Sequence, residues 1–219
     1  MVVRGKFEED LKTLHTKLLE LGNFAINALT KSLEALENKD IELALKILED
    51  DADANILEEE INDFAILLIA KQQPVAVDLR RLIVAIKIAT DIERMADFAV
   101  NIAKSTIRIG NEPLVKPIEH IKQMHQLSLQ MLTLSLEAYH DEDLGKAKQV
   151  AQMDDQVDEL YGQTIKDLLT LAQSKPEHLA QITQLSFISR YLERAADHVT
   201  NIAENVFYLV KGKRYDLNQ

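Results

Sequence analysis

The sequence predicts an all-α protein made of two tandem, pseudo-symmetric three-helix bundles. The strongest observation is an internal repeat: segment 91–104 returns as segment 191–204, with seven of fourteen positions identical. A fixed internal period indicates a repeated structural unit, here of about 100 residues. The second observation is composition, because 47% of the 219 residues are hydrophobic but only 6 are glycine and 4 are proline. A strand-rich fold would need many more turn residues, so helices are favoured.

Six helices are predicted from the few breaks in a nearly continuous helical periodicity. Residues 38–40 end the first helix and cap the second, and residues 72–74 separate the second from the third. The strongest break is at 110–113, where a C-capping glycine is followed by a proline. Residues 140–143 and 174–176 repeat the first two breaks in the second half. The predicted helices cover residues 6–37, 41–72, 75–109, 114–140, 143–173 and 176–211.

The break at 110–113 predicts two structural units, residues 1–111 and 112–219. Short connections between long helices imply antiparallel neighbours, so each unit is expected to be a three-helix bundle with its own core. The core positions support the repeat, because six apolar residues of the third helix recur 100 positions later in the sixth. These are Ala85, Ile88, Ile92, Ala96, Ala99 and Ala103, matched by Leu185, Ile188, Leu192, Ala196, Val199 and Ala203.

Composition excludes several classes of function. The chain has 36 acidic and 25 basic residues, a net charge of −11, which argues against nucleic acid and against unaided binding to anionic lipid. It has no cysteine, so disulfides and thiolate zinc sites are excluded. Residues 1–10 lack the apolar core of a secretory signal, and the longest apolar run, 64–70, is too short to span a membrane. We therefore expect a soluble cytoplasmic protein that reaches a membrane only through its partners.

Each copy of the repeat carries a row of oxygen ligands at positions i, i+4 and i+8. The two rows are Glu93, Asp97 and Asn101, and Glu193, Asp197 and Asn201. On a helix such residues share one face, ~6 Å apart along the axis. Carboxylate and amide oxygens suit a hard metal ion and include no nucleophile. Two carboxylates at this spacing repel by about 3 kcal/mol at an effective dielectric near 20, and a bound cation would remove that penalty. We interpret the rows as metal ligands rather than plain surface acids.

A second set of candidate ligands lies on the second and fifth predicted helices. An offset of 103 residues aligns the apolar faces of these helices and fixes which polar positions correspond. It pairs Asp51 with Asp154, and Asn55 with Asp158. The fifth helix also offers another acidic pair, Asp155 and Glu159. Periodicity alone leaves open whether the helices that carry these groups face each other.

Two other interpretations compete with that of a non-catalytic metal-binding protein. Glu137 and His140 form an ExxH motif, as in di-iron carboxylate enzymes, but such an enzyme needs two of these motifs on different helices. The chain also lacks a glycine-rich phosphate loop, a serine elbow and a Cys/His dyad. We therefore expect no catalysis, with a metal-dependent bundle enzyme as the alternative. A helical scaffold without metal is the third hypothesis.

Several short motifs, in a specific order and spacing, resemble the PhoU family of phosphate-uptake regulators over essentially the whole chain. They are the segments 73–80 (QPVAVDLR), 92–97 (IERMAD), 192–198 (LERAADH) with 201–204 (NIAE), and 208–212 (YLVKG). The resemblance implies two tandem three-helix bundles, as the repeat does. It also implies that E/D-xxx-D motifs hold multinuclear iron or zinc clusters, with other divalent metals left open. The residues concerned are Glu93, Asp97, Glu193 and Asp197, and more loosely Asp51, Asn55, Asp154 and Asp158.

The resemblance further implies a cytoplasmic, homodimeric negative regulator of phosphate-starvation signalling. Such proteins are thought to connect the ATPase of the phosphate ABC transporter to a sensor histidine kinase. Asn55 departs from the acidic pair of the family motif, whereas all four corresponding positions of the second half are acidic. Because more negative ligands bind a hard cation more tightly, the second-half site is expected to be the stronger one.

Overall fold

The computed structural model of this chain describes residues 2–217, which contain helices and no β-strand. Seven α-helices follow one another: α1 (Val2–Asn38), α2 (Ile41–Glu49), α3 (Asp51–Gln72), α4 (Ala76–Ile109), α5 (Glu119–Asp141), α6 (Leu144–Ser174) and α7 (Leu179–Lys211). A single 3-10 turn, Pro176–His178, precedes α7. The predicted all-α class and the tandem three-helix bundles are confirmed. None of the described helices is long and apolar enough to cross a bilayer.

The second predicted helix, 41–72, is present but interrupted at a single residue, Asp50. α2 ends at Glu49 and α3 starts at Asp51, and the backbone N–H of Asp50 still donates to the carbonyl of Lys46, at 3.0 Å. Three aspartates fall within residues 50–53. Aspartate is a poor residue for a helix interior but a good one for a first helical turn, where the helix dipole favours negative charge. Such a cluster therefore favours a restart of the helix at this point.

The fourth predicted helix begins later than expected, at Glu119 rather than at residue 114. The buried amide of Gln181, on α7, binds the backbone of the segment that precedes α5. Its nitrogen donates to the carbonyl of Pro113 at 3.1 Å, and its oxygen accepts from the N–H of Val115 at 2.5 Å. These bonds satisfy backbone groups that a helix would otherwise pair. The linker between the bundles is therefore a defined strap across α7.

Side-chain caps reproduce the predicted breaks in both halves. Asp40 caps α2 by accepting from the N–H of Leu43 at 2.9 Å, and Asp143 caps α6 by accepting from the N–H of Gly145 at 2.7 Å. Asp40 and Asp143 are 103 positions apart, the same offset that aligns the apolar faces. The repeat therefore extends to the caps that begin the second helix of each bundle.

The first bundle contains α1 to α4 and the second contains α5 to α7. All twelve residues of the two predicted core stripes on α4 and α7 are buried. The expectation of a separate core for each bundle is wrong, because one continuous apolar cluster runs through both. The bundles join along α4 and α7, and along α1 and α5. At the second junction Gly22 faces Leu136 so closely that a Cβ at residue 22 would lie only 2.7 Å from that side chain. The alanines of both stripes and this glycine permit the close approach that fuses the cores.

α4 and α7 pack antiparallel about a pseudo-two-fold axis. Asp91 meets His198, with 3.0 Å between Oδ1 and Nδ1, while the repeat-related Tyr191 and Phe98 stack with ring centroids 6.2 Å apart. On the axis, the equivalent residues Phe98 and His198 meet each other, with centroids 5.7 Å apart. In an isologous interface, two residues contact each other and their two repeat-equivalents contact each other in the same way. The sequence repeat is therefore also a spatial symmetry.

Candidate functional site

The acidic residues of the second half gather where α6 and α7 face each other. We call Asp154, Asp158, Glu193 and Asp197 the C-terminal cluster. Asp154 is only 4% exposed, and burial raises the pKa of its carboxyl to about 7, with a further contribution from the charges of Asp158 and Asp197. Burial is also the main cause that raises the pKa of Glu193, followed by the charge of Asp197. The two helices thus face each other with their carboxylates, which periodicity had left open.

Two carboxylate oxygens of this cluster are buried and lack a protein partner. Oδ1 of Asp154 and Oε2 of Glu193 make no hydrogen bond within the described residues, although the nearby hydroxyl of Thr200 opposes part of the rise in the pKa of Asp154. The other oxygen of Glu193 accepts from the guanidinium of Arg190 at 2.5 Å. Burying an unpaired carboxylate oxygen is costly, and the cost falls when a cation comes within reach. One arginine therefore compensates part of the negative charge of this cluster and leaves two oxygens free.

The first half contains a related cluster between α3 and α4. We call Asp51, Glu58, Glu93 and Asp97 the N-terminal cluster. Burial raises the pKa values of Asp51 and Glu93, and the charge of Asp97 adds to the increase in both. Arg94 partly neutralises it, at 2.8 Å from Oδ2 of Asp97 and 3.5 Å from Oε2 of Glu93. The two halves therefore form their ion pairs with arginines at different positions. Arg194, the equivalent of Arg94, lies over the ring of Phe98 and acts on Glu193 and Asp197 through its charge alone.

Sequence reasoning missed Glu58. Its Oε1 accepts hydrogen bonds from Asn62 Nδ2 at 2.7 Å and from Thr90 Oγ1 at 3.0 Å, and its charge raises the pKa of Glu93. The signal was available, because residue 58 is seven positions after Asp51 and so shares its helix face. The offset of 103 concealed it, since the equivalent residue in the second half is Tyr161.

The three predicted amide ligands are not bonded to either cluster. Asn55 is exposed, and neither it nor the half-buried Asn101 makes a side-chain hydrogen bond within residues 2–217. Asn201 directs its amide nitrogen toward Asp91 of α4, at 3.5 Å from Oδ1. The assignment of these three amides as metal ligands stays a prediction.

The competing acidic pair of α6, Asp155 and Glu159, lies on the solvent face. Both residues are exposed, and Glu159 accepts a hydrogen bond from Gln163 at 3.1 Å. Asp154, by contrast, is buried. The offset of 103 therefore selects the aspartate that faces α7. Its partner in the selected pair, Asp158, is exposed, but it lies close enough to Asp197 for that charge to raise its pKa, after the larger effect of partial burial.

The two residues of the ExxH motif each contact a different partner. Glu137 is held by Lys146 at 2.9 Å, and the ring of His140 lies against His15 of α1, with centroids 4.2 Å apart. As the side chains stand, no three His, Asp or Glu groups among the described residues are placed to hold one metal ion. The clusters offer hard oxygen ligands and negative charge that the neighbouring arginines compensate only in part.

Together, the tandem bundles and the paired acidic clusters define a class of all-α repeat proteins with carboxylate-rich helix junctions. The sequence pattern of the PhoU domain matches residues 18–106 and 121–206, so the chain belongs to the PhoU family. The two matches fall on either side of the linker, and the division at residue 111 stays a prediction.

Similar proteins cover the whole chain. The phosphate-specific transport system accessory protein PhoU homolog of Clostridium acetobutylicum is 39% identical, over 99% of this chain and 100% of that protein. The crystal structure of the phosphate transport system regulatory protein PhoU from Streptococcus pneumoniae superposes with a TM-score of 0.90 at 33% identity, covering 96% of this chain and 99% of that one. The crystal structure of PhoU from Pseudomonas aeruginosa gives a TM-score of 0.89 at 29% identity, over 94% of this chain and 100% of that one.

Proposed function

We propose that this chain is a cytoplasmic, non-enzymatic accessory protein that regulates a phosphate transport system. The observation that carries the proposal is the match to phosphate-specific transport accessory proteins across nearly the full length of both chains. The fold supports it, because the clusters and the long bundle faces offer surfaces for binding. In its finer form, the protein connects the transporter ATPase to a sensor histidine kinase and damps phosphate-starvation signalling when phosphate is plentiful. It is expected to act as a homodimer.

Recovery of partners tests this proposal directly. The protein, carrying an affinity tag, is isolated from cells grown with high and with low phosphate, and co-purifying proteins are identified by mass spectrometry. The transporter ATPase and a histidine kinase are expected in the high-phosphate sample. Recovery of neither, while the tagged protein still complements its deletion, would contradict the adaptor role.

We further propose that a divalent metal, iron or zinc in the first instance, binds the C-terminal cluster. The residues that would hold it are Asp154, Asp158, Glu193 and Asp197. They fit such an ion chemically, because two of their buried oxygens lack partners and burial raises the pKa of each carboxyl. A bound ion would supply positive charge that removes the repulsion among these groups.

Arg190 competes with metal for this cluster. It now occupies one oxygen of Glu193, so binding exchanges an arginine contact for an ion contact. The N-terminal cluster is expected to bind metal more weakly. Its extra carboxylate, Glu58, is already satisfied by Asn62 and Thr90, and its Asn55 replaces an acid of the second half.

Charge-neutralising pairs test the metal site. Glu193→Gln with Asp197→Asn is expected to lose bound metal and the metal-induced rise in melting temperature, because a ligand that binds only the native state stabilises it by mass action. Glu93→Gln with Asp97→Asn is expected to keep most of both. The matched control is Glu59→Gln with Asp63→Asn, an exposed acidic pair at the same spacing on α3 that lies outside both clusters. Metal content is measured by mass spectrometry of the purified proteins, and full occupancy in the first variant would contradict the assignment.

A further inference from the structure

A cavity of about 390 Å³ lies between α4, α7 and the segment that follows α7. Its wall includes two cationic, two acidic and two tyrosine side chains: Lys87, Arg214, Asp91, Glu204, Tyr208 and Tyr215. A volume of this size is within the range of pockets that hold small organic ligands. None of these residues belongs to either acidic cluster.

The segment after α7 is held in place as the outer wall of this cavity. Gly212, with φ at 69°, ends α7 in the left-handed conformation and reverses the chain. The ring of Tyr215 then packs on Phe207, with centroids 5.3 Å apart, and the N–H of Leu217 donates to Oε1 of Glu204 at 2.9 Å. These contacts hold Tyr215 over α7 as the third side of the cavity, and the exposed Arg214 lies next to it.

The charged groups of the cavity differ in whether the protein already uses them. Asp91 is engaged by His198 at 3.0 Å and Asn201 at 3.5 Å, and Glu204 is engaged by the backbone. Lys87, in contrast, lies 5.7 Å from the ring centroid of Tyr208 and forms no ion pair within residues 2–217. Arg214 likewise has no hydrogen bond or ion pair to any residue of that range, and the same holds for the hydroxyls of both tyrosines. Two cations and two hydroxyls of the cavity wall are therefore available to a ligand, beside the amide oxygens of Asn201 and Asn205, which also line it.

We infer that this cavity binds a phosphate monoester that carries an aromatic ring, as a mononucleotide does. Lysine and arginine are the side chains that pair with phosphoryl oxygens through charge-assisted hydrogen bonds. Tyrosine supplies a flat apolar face for a ring and a hydroxyl at its edge. Inorganic phosphate would leave both tyrosines unused. A triphosphate would bring additional negative charge close to Asp91 and Glu204, in a chain of net charge −11.

Isothermal titration calorimetry with AMP tests the inference on the full chain. Saturable binding is expected, and Lys87→Gln and Arg214→Gln should each weaken it by about tenfold, the loss of one charge-assisted hydrogen bond. The matched control is Arg108→Gln, which removes an exposed arginine from the last turn of α4, outside the cavity, and should leave binding unchanged. Circular dichroism verifies that each variant is folded.

Two smaller probes separate the parts of the ligand. Adenosine and ribose 5-phosphate should each bind at least about tenfold more weakly than AMP, because each lacks one of the two recognised groups. Tyr215→Ala should weaken AMP binding, whereas Tyr215→Phe should retain the contribution of the ring. Absence of saturable AMP binding at millimolar concentration would overturn the inference. Equal AMP affinity in the wild type, Lys87→Gln and Arg214→Gln would overturn it as well.

Discussion

Replacing Asp154 with asparagine is expected to stabilise the metal-free protein at pH 8. Asp154 is 4% exposed, its Oδ1 has no hydrogen-bond partner, and the charges of Asp158, Asp197 and Asp155 add to the cost of ionising it. At pH 8 the folded protein must keep this buried group ionised. Asparagine has nearly the same shape and carries no charge, so it avoids that cost.

The magnitude follows from the shift in pKa. Burial and neighbouring acids raise the pKa of Asp154 from 3.8 to about 7. Each unit corresponds to about 1.4 kcal/mol, so the ionised carboxylate lowers the free energy of unfolding by up to about 4 kcal/mol at pH 8. The folded pKa is raised above the unfolded value, so this loss is absent below pH 4, grows between pH 4 and 7, and is complete above 7. The gain from asparagine at pH 5 is therefore less than half of the gain at pH 8.

Urea unfolding in the presence of a chelator measures this difference at both pH values. Asp63→Asn is the matched control, because Asp63 is an exposed aspartate of α3 outside both clusters and should change stability by less than about 0.5 kcal/mol. Added metal should then raise the melting temperature of the wild type but not of Asp154→Asn. A variant less stable than the wild type at pH 8, or an equal gain at both pH values, would refute the reasoning.

Three further predictions concern other contacts. His15→Gln should reduce the loss of stability on acidification below pH 6.5. Burial, followed by the charge of His140, lowers the pKa of His15, so the unfolded chain takes up the proton before the folded chain does. An unchanged pH dependence of the melting temperature would contradict this. Phe98→Ala should lower the free energy of unfolding in urea by about 3–5 kcal/mol, since its buried ring joins the bundles at the pseudo-axis, and a loss below about 1 kcal/mol would argue against that role. Arg190→Gln should tighten metal binding, measured by calorimetry, because it frees Glu193, and weaker binding would show that the arginine does not compete.

The sequence predicted the helices and the repeat because both leave periodic signals in apolar residues and caps. The stripes on α4 and α7 are buried as predicted, and Asp40 and Asp143 cap the helices that they were expected to cap. The fused core was not predicted, because burial of an alanine-rich face does not reveal whether its neighbour belongs to the same bundle or to the other one. The strap held by Gln181 was also missed, since a long-range contact between a side chain and the backbone leaves no local pattern.

The candidate site was predicted less completely than the fold. Spacing placed Glu93 with Asp97, and Glu193 with Asp197, on one face of each helix, because i, i+4 patterns are local. Periodicity could not show that these faces meet α3 and α6, because that depends on how the helices pack. Spacing cannot show which nearby arginine pairs with them, and Arg190 performs in the second half what Arg94 performs in the first. Glu58 was missed because the two halves were assumed to use equivalent positions.

The most direct test of the central claim is the expression of a phosphate-starvation gene in cells that lack this protein. With phosphate in excess, the account predicts strong expression in the deletion strain and repression after complementation with the wild-type chain. A chain neutralised at the C-terminal cluster should repress less well, provided that it is present in equal amount. Full repression in the deletion strain, with no second copy of the gene, would contradict a negative regulatory role.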